Sequence, residues 1–371
     1  MAKSDSKKLT YKESGVDYSA IDPSKVDSQT SAAATADNLN YFGMSEVPES
    51  RGESAYVWEE DDAFRALVVE GLGTKSLAAD AMYSLTGKSY YDQIAQDTVA
   101  MIVNDLVVVG ALPNVVNAYF GLGGGKWMND KQRAADLISG WKSACDLAGA
   151  AWGGGETPVL KGVINEGTID LAGSAVGIIK PKSRLVLGDS LEAGDAIVLI
   201  ESSGIHANGL TMARSIADRL PDGYMTKLSD RRTYGEAILA PTHIYVGLVR
   251  EMLEAELNIH YMANITGHGW RKIMRASKKV SYHLDFVPEV PAEFTMIQKE
   301  AKASNEEMYG NFNMGAGFAV FLPEDQAVQV VELAKKVGLK AWKAGSVKEG
   351  DKKVFIEPLG ITFAEDSLGV R

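Results

Sequence analysis

Gly188-Asp-Ser-Leu-Glu-Ala-Gly194 is a turn-rich joint. Directly after it, Ala196-Ile-Val-Leu-Ile200 reads as a buried strand that leads into the glycine loop Ser202-Ser-Gly-Ile-His-Ala-Asn-Gly209. This stretch decides the fold, because the pattern of strands and helices restarts here. Upstream, residues 55–58 and 63–69 read as a strand pair around the acidic turn Glu59-Glu60-Asp61-Asp62. Helical patterns follow at 91–110 and 131–149, with apolar strands at 115–120 and 172–179. Downstream, helices are expected at 210–220, 240–254 and 324–337, and strands at 259–263, 318–322, 340–347 and 353–356. The helix at 324–337 has Pro323 before it and Gly338 after it, the expected punctuation. Strands and helices alternate in both halves without a strict βαβ rhythm. The expectation is an α+β (α/β) chain of two domains, joined near residues 180–190. The boundaries are 1–54 for an N-terminal arm with a short helix near 24–39, 55–182 and 183–358 for the domains, and 359–371 for a tail.

Composition bounds the function. At 371 residues the chain exceeds what one hydrophobic core usually organises. A net charge of −11, with no long Lys/Arg track, argues against nucleic acid as a partner. A single cysteine, Cys145, cannot form an intrachain disulfide and fits a reducing compartment. Residues 1–10 are polar and lysine-rich, unlike a secretory signal. The most apolar region, 99–116, is interrupted by Asn104, Asp105 and Pro113, which speaks against a membrane span. A cytoplasmic protein is expected.

Several segments carry possible chemistry. Glu70-Gly-Leu-Gly-Thr-Lys75 ends a strand on a carboxylate and a Gly-x-Gly turn with a lysine. Glycines let backbone amides approach a phosphate, but the spacing is neither a Walker A loop nor a dinucleotide fingerprint. Taken alone, a hairpin turn with a solvated lysine is the favoured reading. On the helix from Tyr91, Asp97, Met101 and Asn104 share a stripe, and Asn104-Asp105 interrupts an apolar run. Such polar groups serve either as hard oxygen ligands for Mg²⁺ or as a structural ion pair. Gly153-Gly-Gly-Glu-Thr157 and Gly121-Leu-Gly-Gly-Gly-Lys126 read as flexible loops, with Glu156 a further metal candidate. The loop 202–209 lies between a strand and a helix, and Thr266-Gly-His-Gly269 repeats that arrangement. Two such junctions favour a phosphorylated small-molecule substrate over simple N-capping. His243, His260 and His283 lack metal-ligand spacing, and Cys145 reads as a packed hydrophobe.

The order of the motifs is more specific than any one of them. Tyr11-Lys-Glu-Ser-Gly-Val-Asp17, Glu70-Gly-Leu-Gly-Thr-Lys75, Val103-Asn-Asp-Leu-Val-Val108 and Gly154-Gly-Glu-Thr157 occupy the first half. The second half has Ser202 to Gly209, Leu239-Ala-Pro-Thr-His-Ile-Tyr-Val246, Ile265-Thr-Gly267 and Asn311-Phe-Asn-Met-Gly315. Together they resemble the phosphoribosylformylglycinamidine cyclo-ligase (aminoimidazole ribonucleotide synthetase) family over about residues 11–357. The resemblance implies an N-terminal domain whose strands build a barrel across a homodimer, and a C-terminal α/β domain. It implies ATP and Mg²⁺ as cofactors. An amide oxygen of formylglycinamidine ribonucleotide would be phosphorylated, an internal nitrogen would attack, and ring closure would expel phosphate.

The resemblance also assigns residues. Lys12, Glu70, Gly71, Gly73, Thr74, Lys75, Asn104, Gly154 and Gly155 fall at nucleotide-binding positions. Asp97, Asp105 and Glu156 fall at metal positions. Lys75, His206 and Asn208 are the implied catalytic groups, Lys75 for phosphate charge and the other two for substrate or ATP phosphates. The chain departs from the family pattern at Glu70, where Asp is usual, and at Ala118, where a second Asp is usual. It departs also at 39–43, at 158–162 and at Thr266-Gly-His-Gly269, where the family has T-G-G-G. These departures motivate a second reading, a paralog acting on another amide or a non-catalytic nucleotide-binding dimer.

Overall fold

The protein is described from a computed structural model covering residues 8–10, 15 and 18–368. Its strands, in chain order, begin with β1 (Ser45–Glu46), β2 (Tyr56–Glu60), β3 (Ala63–Gly71), β4 (Leu112–Leu122), β5 (Ala151–Glu156) and β6 (Ile169–Ile179). The second set is β7 (Ala196–Glu201), β8 (Tyr261–Asn264), β9 (Ser281–Leu284), β10 (Ala316–Leu322), β11 (Ala341–Lys348), β12 (Lys353–Ile356) and β13 (Ile361–Ala364). They form two sheets that do not mix. The first runs β1-β2-β3-β6-β4-β5 and the second β13-β12-β9-β11-β7-β10-β8. The break between them falls at the joint 188–194.

In the first sheet β4 and β5 are parallel. A parallel pair needs a crossover, and the helix Lys131–Ala148 supplies it. Asp130 caps that helix by accepting from Arg133 N at 3.1 Å, and Gly149, at φ 65°, ends it in the left-handed region. The helix Tyr91–Val107 packs against the same sheet, yet its burial is unbroken from Asp97 to Val107. A helix buried all round has no solvent face. Its polar residues must therefore find partners in the second half of the chain.

The second sheet is antiparallel except for β9–β12. Residues 196–200 of β7 and all of β10 are buried, so these central strands read as continuous apolar runs. The N-terminal arm touches this half. Leu9 N donates to Ala301 O at 3.1 Å, and Lys8 pairs with Glu307 at 2.8 Å.

Several elements differ from the sequence reading. A helix at Lys75–Thr86 directly follows the Gly-x-Gly turn, so that turn is a strand-to-helix junction, not a hairpin. The three glycines at 153–155 lie inside β5 and not in a loop; a Cβ on Gly155 would stand 2.1 Å from Ala118 O, so only glycine fits there. The helix expected from 240 begins at Val246. Pro241 keeps the preceding stretch extended. Residues 359–371, read as a tail, supply β13, which pairs with β12. The arm's helix spans Tyr18–Ala33, and a 3-10 turn follows at Ala36–Phe42. Among the described residues no helix is long and apolar enough to cross a membrane.

Cys145 sits in the core, 3% exposed, and burial together with Asp146 pushes its thiol up to about 11. The thiolate is the reactive form. At pH 8 the folded protein is therefore expected to resist a thiol-specific disulfide reagent over minutes. One equivalent should react once denaturant is added, as read by release of the coloured thiolate.

Candidate functional site

The polar stripe of the helix Tyr91–Val107 organises the site. Gln96 Nε2 donates to Thr242 O at 2.9 Å, and Asn104 Nδ2 donates to His243 O at 2.7 Å. Asn104 Oδ1 accepts from Tyr245 N at 2.9 Å. One helix of the first half thus clamps the extended segment 240–245 of the second. Asn104, assigned to nucleotide by resemblance, spends its amide on this backbone. Met101 completes the stripe, with Asn208 Nδ2 3.7 Å from its sulfur.

Lys75 is the first residue of the helix Lys75–Thr86 and has no exposed surface. Its Nζ lies 2.8 Å from Asp97, 2.8 Å from His206 O and 2.9 Å from Ala240 O. An ammonium has three N–H bonds, and all three end inside the protein. The solvated lysine and the direct phosphate contact expected from sequence both give way to a fixed charge beneath the glycine loop. Asp97 is likewise fully buried and accepts from Thr242 N at 2.8 Å and from the Thr242 hydroxyl. Burial pushes the Lys75 ammonium down and the Asp97 carboxyl up, and each charge is the other's principal compensation. Asp97, expected with the metal ligands, is therefore taken by Lys75 and Thr242.

The loop 202–209 is braced from below. Ser203 Oγ donates to Pro241 O at 2.6 Å. Asn313 Nδ2 donates to Gly204 O at 2.9 Å, and its Oδ1 accepts from Ser202 Oγ and Gly315 N. His206 is a buried non-glycine residue at φ 59°, and its Nε2 accepts from Ser203 N at 3.2 Å. Burial, with Lys75 and His243 nearby, holds its imidazole well below the usual histidine range, so the ring is neutral. A Cβ on Gly317 would lie 2.1 Å from Tyr245 Oη and 2.5 Å from His206 Cε1, so β10 must present glycine here. His206 thus acts on the loop through its backbone carbonyl and ring acceptor. Thr74 joins the two halves, its Oγ1 3.1 Å from Thr211 Oγ1. Gly73, at φ 72°, makes the turn that aims the helix N-terminus; Gly71 ends β3.

A second polar group lies where β3 ends. Asp105 Oδ1 accepts from Asn264 Nδ2 at 2.6 Å. Burial and the charge of Asp105 push Glu70 up to about 7. The oxygens of Glu70 and Asp105 are hard donors of the kind a divalent cation such as Mg²⁺ takes. Lys272, on the 3-10 turn Gly269–Met274, shares the field of both carboxylates. Glu156 ends the exposed strand β5 opposite Tyr119, with Gly154 and Gly155 beside it. Lys12 lies outside the described residues.

Among the described residues, the three metal-ligating side chains that converge within 4.8 Å are Glu192, Asp195 and His260, not Asp97, Asp105 and Glu156. His260 Nδ1 is 2.8 Å from Asp195 and its Nε2 is 2.8 Å from Asn258 Nδ2, so that histidine is satisfied as a buried pair. Thr242, Asn264, Lys272 and Asn313 were not singled out from sequence, whereas Thr266 was, in the Thr266–Gly269 junction. Thr242, Asn264 and Asn313 lie in or beside motifs that were: Leu239–Val246, Ile265–Gly267 and Asn311–Gly315. What sequence could not supply was the docking of the two halves.

Comparison with known proteins agrees with this architecture. Residues 52–179 match the N-terminal domain of the AIR synthase related proteins, and residues 192–357 match their C-terminal domain. A phosphoribosylformylglycinamidine cyclo-ligase of Methanothermobacter thermautotrophicus is 34% identical over 354 residues, covering 94% of this chain and 97% of that protein. The protein of the same name from Carboxydothermus hydrogenoformans is 36% identical over 293 residues, 77% of this chain and 81% of its own. Among solved structures, the HypE–HypF complex aligns with a TM-score of 0.58 at 18% identity, over 84% of this chain and 92% of that one. AaThiL complexed with AMPPCP and TMP aligns at 0.56 and 16% identity, over 84% and 91%. These structures share the fold. With both domains matched in order across most of its length, the chain belongs to the AIR synthase related family.

Proposed function

We propose that this chain closes the imidazole ring of aminoimidazole ribonucleotide, using ATP to activate an amide oxygen of formylglycinamidine ribonucleotide. The observation that carries the reading is near full-length similarity to proteins named phosphoribosylformylglycinamidine cyclo-ligase. The γ-phosphoryl group passes to the amide oxygen and leaves ADP. An internal nitrogen then attacks the activated carbon, and the carbon–oxygen bond breaks to release inorganic phosphate. This chemistry needs positioning and charge neutralisation more than a strong base.

The neutral, buried His206 accords with that requirement: it orders the loop and is not built to carry a proton at neutral pH. The fixed Lys75 charge and the open N-terminus of the helix Lys75–Thr86 favour an anion above the Gly71–Thr74 turn. Glu70 and Asp105 would hold Mg²⁺, which supplies charge neutralisation at the transferred phosphate. Glu156 stays a metal candidate in this reading, and Gly154, Gly155 and Lys12 fall to the nucleotide side. Asn208 reaches the substrate from the second glycine loop.

The functional unit is a homodimer in this account. The first sheet leaves Val69 71% and Trp152 37% exposed, and every residue of β5 is exposed, so a second copy has a face to cover. The reaction is placed in the cytoplasm, where Cys145 stays reduced. The test is mass detection of the product, lighter than formylglycinamidine ribonucleotide by the elements of water and formed only with Mg·ATP. ADP formation on a different amide would move the activity to a paralogous substrate. Nucleotide binding without turnover on any amide would leave a non-catalytic dimer.

A further inference from the structure

Among the described residues, Lys272 is a buried cation that the fold leaves largely unmatched. Its side chain is 9% exposed, and burial pushes its ammonium down despite the charges of Asp105 and Glu70 nearby. Among the described residues its Nζ donates one hydrogen bond, to Thr266 Oγ1 at 2.5 Å. Contrast Lys75, whose three N–H bonds all end on protein acceptors. Burying an ammonium with two donors unmatched is costly, and a chain that retains one gains something in return. Methionine or leucine would fill the same space at lower cost.

The surroundings say what those donors face. Thr266 lies in the loop between β8 and the 3-10 turn Gly269–Met274, and His268, at φ 66°, bends that loop into the left-handed region. Non-glycine residues held there cost energy and persist where the surroundings enforce them. Asn264, at the end of β8, binds Asp105. One short segment, 264–272, therefore binds Asp105 through the Asn264 amide, joins the Thr266 hydroxyl to the Lys272 ammonium, and sets that ammonium in the field of Asp105 and Glu70. A hydroxyl and an ammonium beside a carboxylate pair fit one kind of ligand, a phosphoryl group that arrives with a divalent cation: the cation takes the carboxylates and the phosphoryl oxygens take the N–H and O–H donors.

We propose that Lys272 and Thr266 are direct phosphate-contacting residues of this site, additional to the helix N-terminus at Lys75. The proposal rests on the ATP-dependent reading above and deepens it. The phosphoryl group has two possible sources, the nucleotide and the ribose phosphate of the substrate, and the test separates them.

The experiment is calorimetric binding of Mg·ATP, and separately of formylglycinamidine ribonucleotide, to the full chain and to Lys272→Met, Lys272→Arg and Thr266→Val. Ligand-free thermal unfolding is recorded beside each. Lys272→Met is expected to weaken one of the two ligands about 10- to 100-fold, the range of a charge-assisted hydrogen bond. Lys272→Arg, which keeps the charge but not the point geometry, should weaken it less, and Thr266→Val should weaken the same ligand. The ligand-free melting temperature of Lys272→Met should hold or rise, because a buried ammonium with two unmatched donors is removed. Loss confined to Mg·ATP places Lys272 on the nucleotide; loss confined to the ribonucleotide places it on the substrate. Unchanged affinity for both ligands, with a lower melting temperature, overturns the proposal and makes Lys272 a structural counter-ion. Should Lys272→Met not fold, Thr266→Val decides: full affinity for both ligands there overturns the proposal. If the unaltered chain binds neither ligand, the cyclo-ligase reading itself falls, a result distinct from any loss confined to the variants.

Discussion

Replacing Lys75 with methionine is expected to destabilise the protein by about 3–5 kcal/mol, a larger effect than any surface substitution would give. The reason is the charge left behind. Asp97 has no exposed surface and would keep Thr242 N and Oγ1 as partners but lose its cation. His206 O and Ala240 O would lose their donor in the same step. Because these carbonyls belong to the second half and Asp97 to the first, the loss falls on the docking of the two sheets. The melting temperature should drop by about 5–10 °C. The double variant Lys75→Met/Asp97→Leu should recover much of this, since it removes both charges and leaves apolar groups of similar volume. A single variant within about 1 kcal/mol of the parent would show that the pair is not the bolt between the halves.

Asp105→Ala is expected to cut substrate-dependent phosphate release by about 10²–10³-fold while leaving the fold intact. Asp105 accepts from Asn264 and sets the field at Glu70. Without it Glu70 should fall back toward the usual carboxylate range. Glu70 would then ionise alone, and a lone carboxylate holds Mg²⁺ less tightly than a pair. Raising Mg²⁺ should therefore restore part of the rate in Asp105→Ala and change the parent little. A variant with full activity at low Mg²⁺ would remove Asp105 from the metal's neighbourhood.

The two effects also explain what could be read in advance. The two-domain division was legible because it depends on local pattern: β7 and β10 are unbroken apolar runs, and the joint before β7 is dense in turn residues. The stripe Asp97, Met101, Asn104 was legible as a stripe, because a seven-residue step keeps one face of a helix. Its purpose was not. Lys75 follows two glycines and has the local signature of a solvated phosphate lysine. Only the arrival of residues 206 and 240, more than a hundred positions later, closes it off from water. Glycine misled in the opposite sense at 153–155: three in a row suggest a loop, yet they lie in a strand, where the backbone of β4 comes too close to Gly155 for any side chain and Gly154 sits at φ 124°. Lys272 was not legible because Trp270 to Ala276 reads from sequence only as the helical segment after a glycine loop, with no local sign that its lysine is buried.

In the proposed reaction, ATP cleavage is coupled to closure of one amide-bearing ribonucleotide. Phosphate release by the purified full chain with Mg·ATP, followed with and without formylglycinamidine ribonucleotide, tests it most directly. Release is expected to depend on the ribonucleotide, in one-to-one ratio with aminoimidazole ribonucleotide formed. Release that is the same with and without the ribonucleotide, or none in folded protein that binds both ligands, would contradict it.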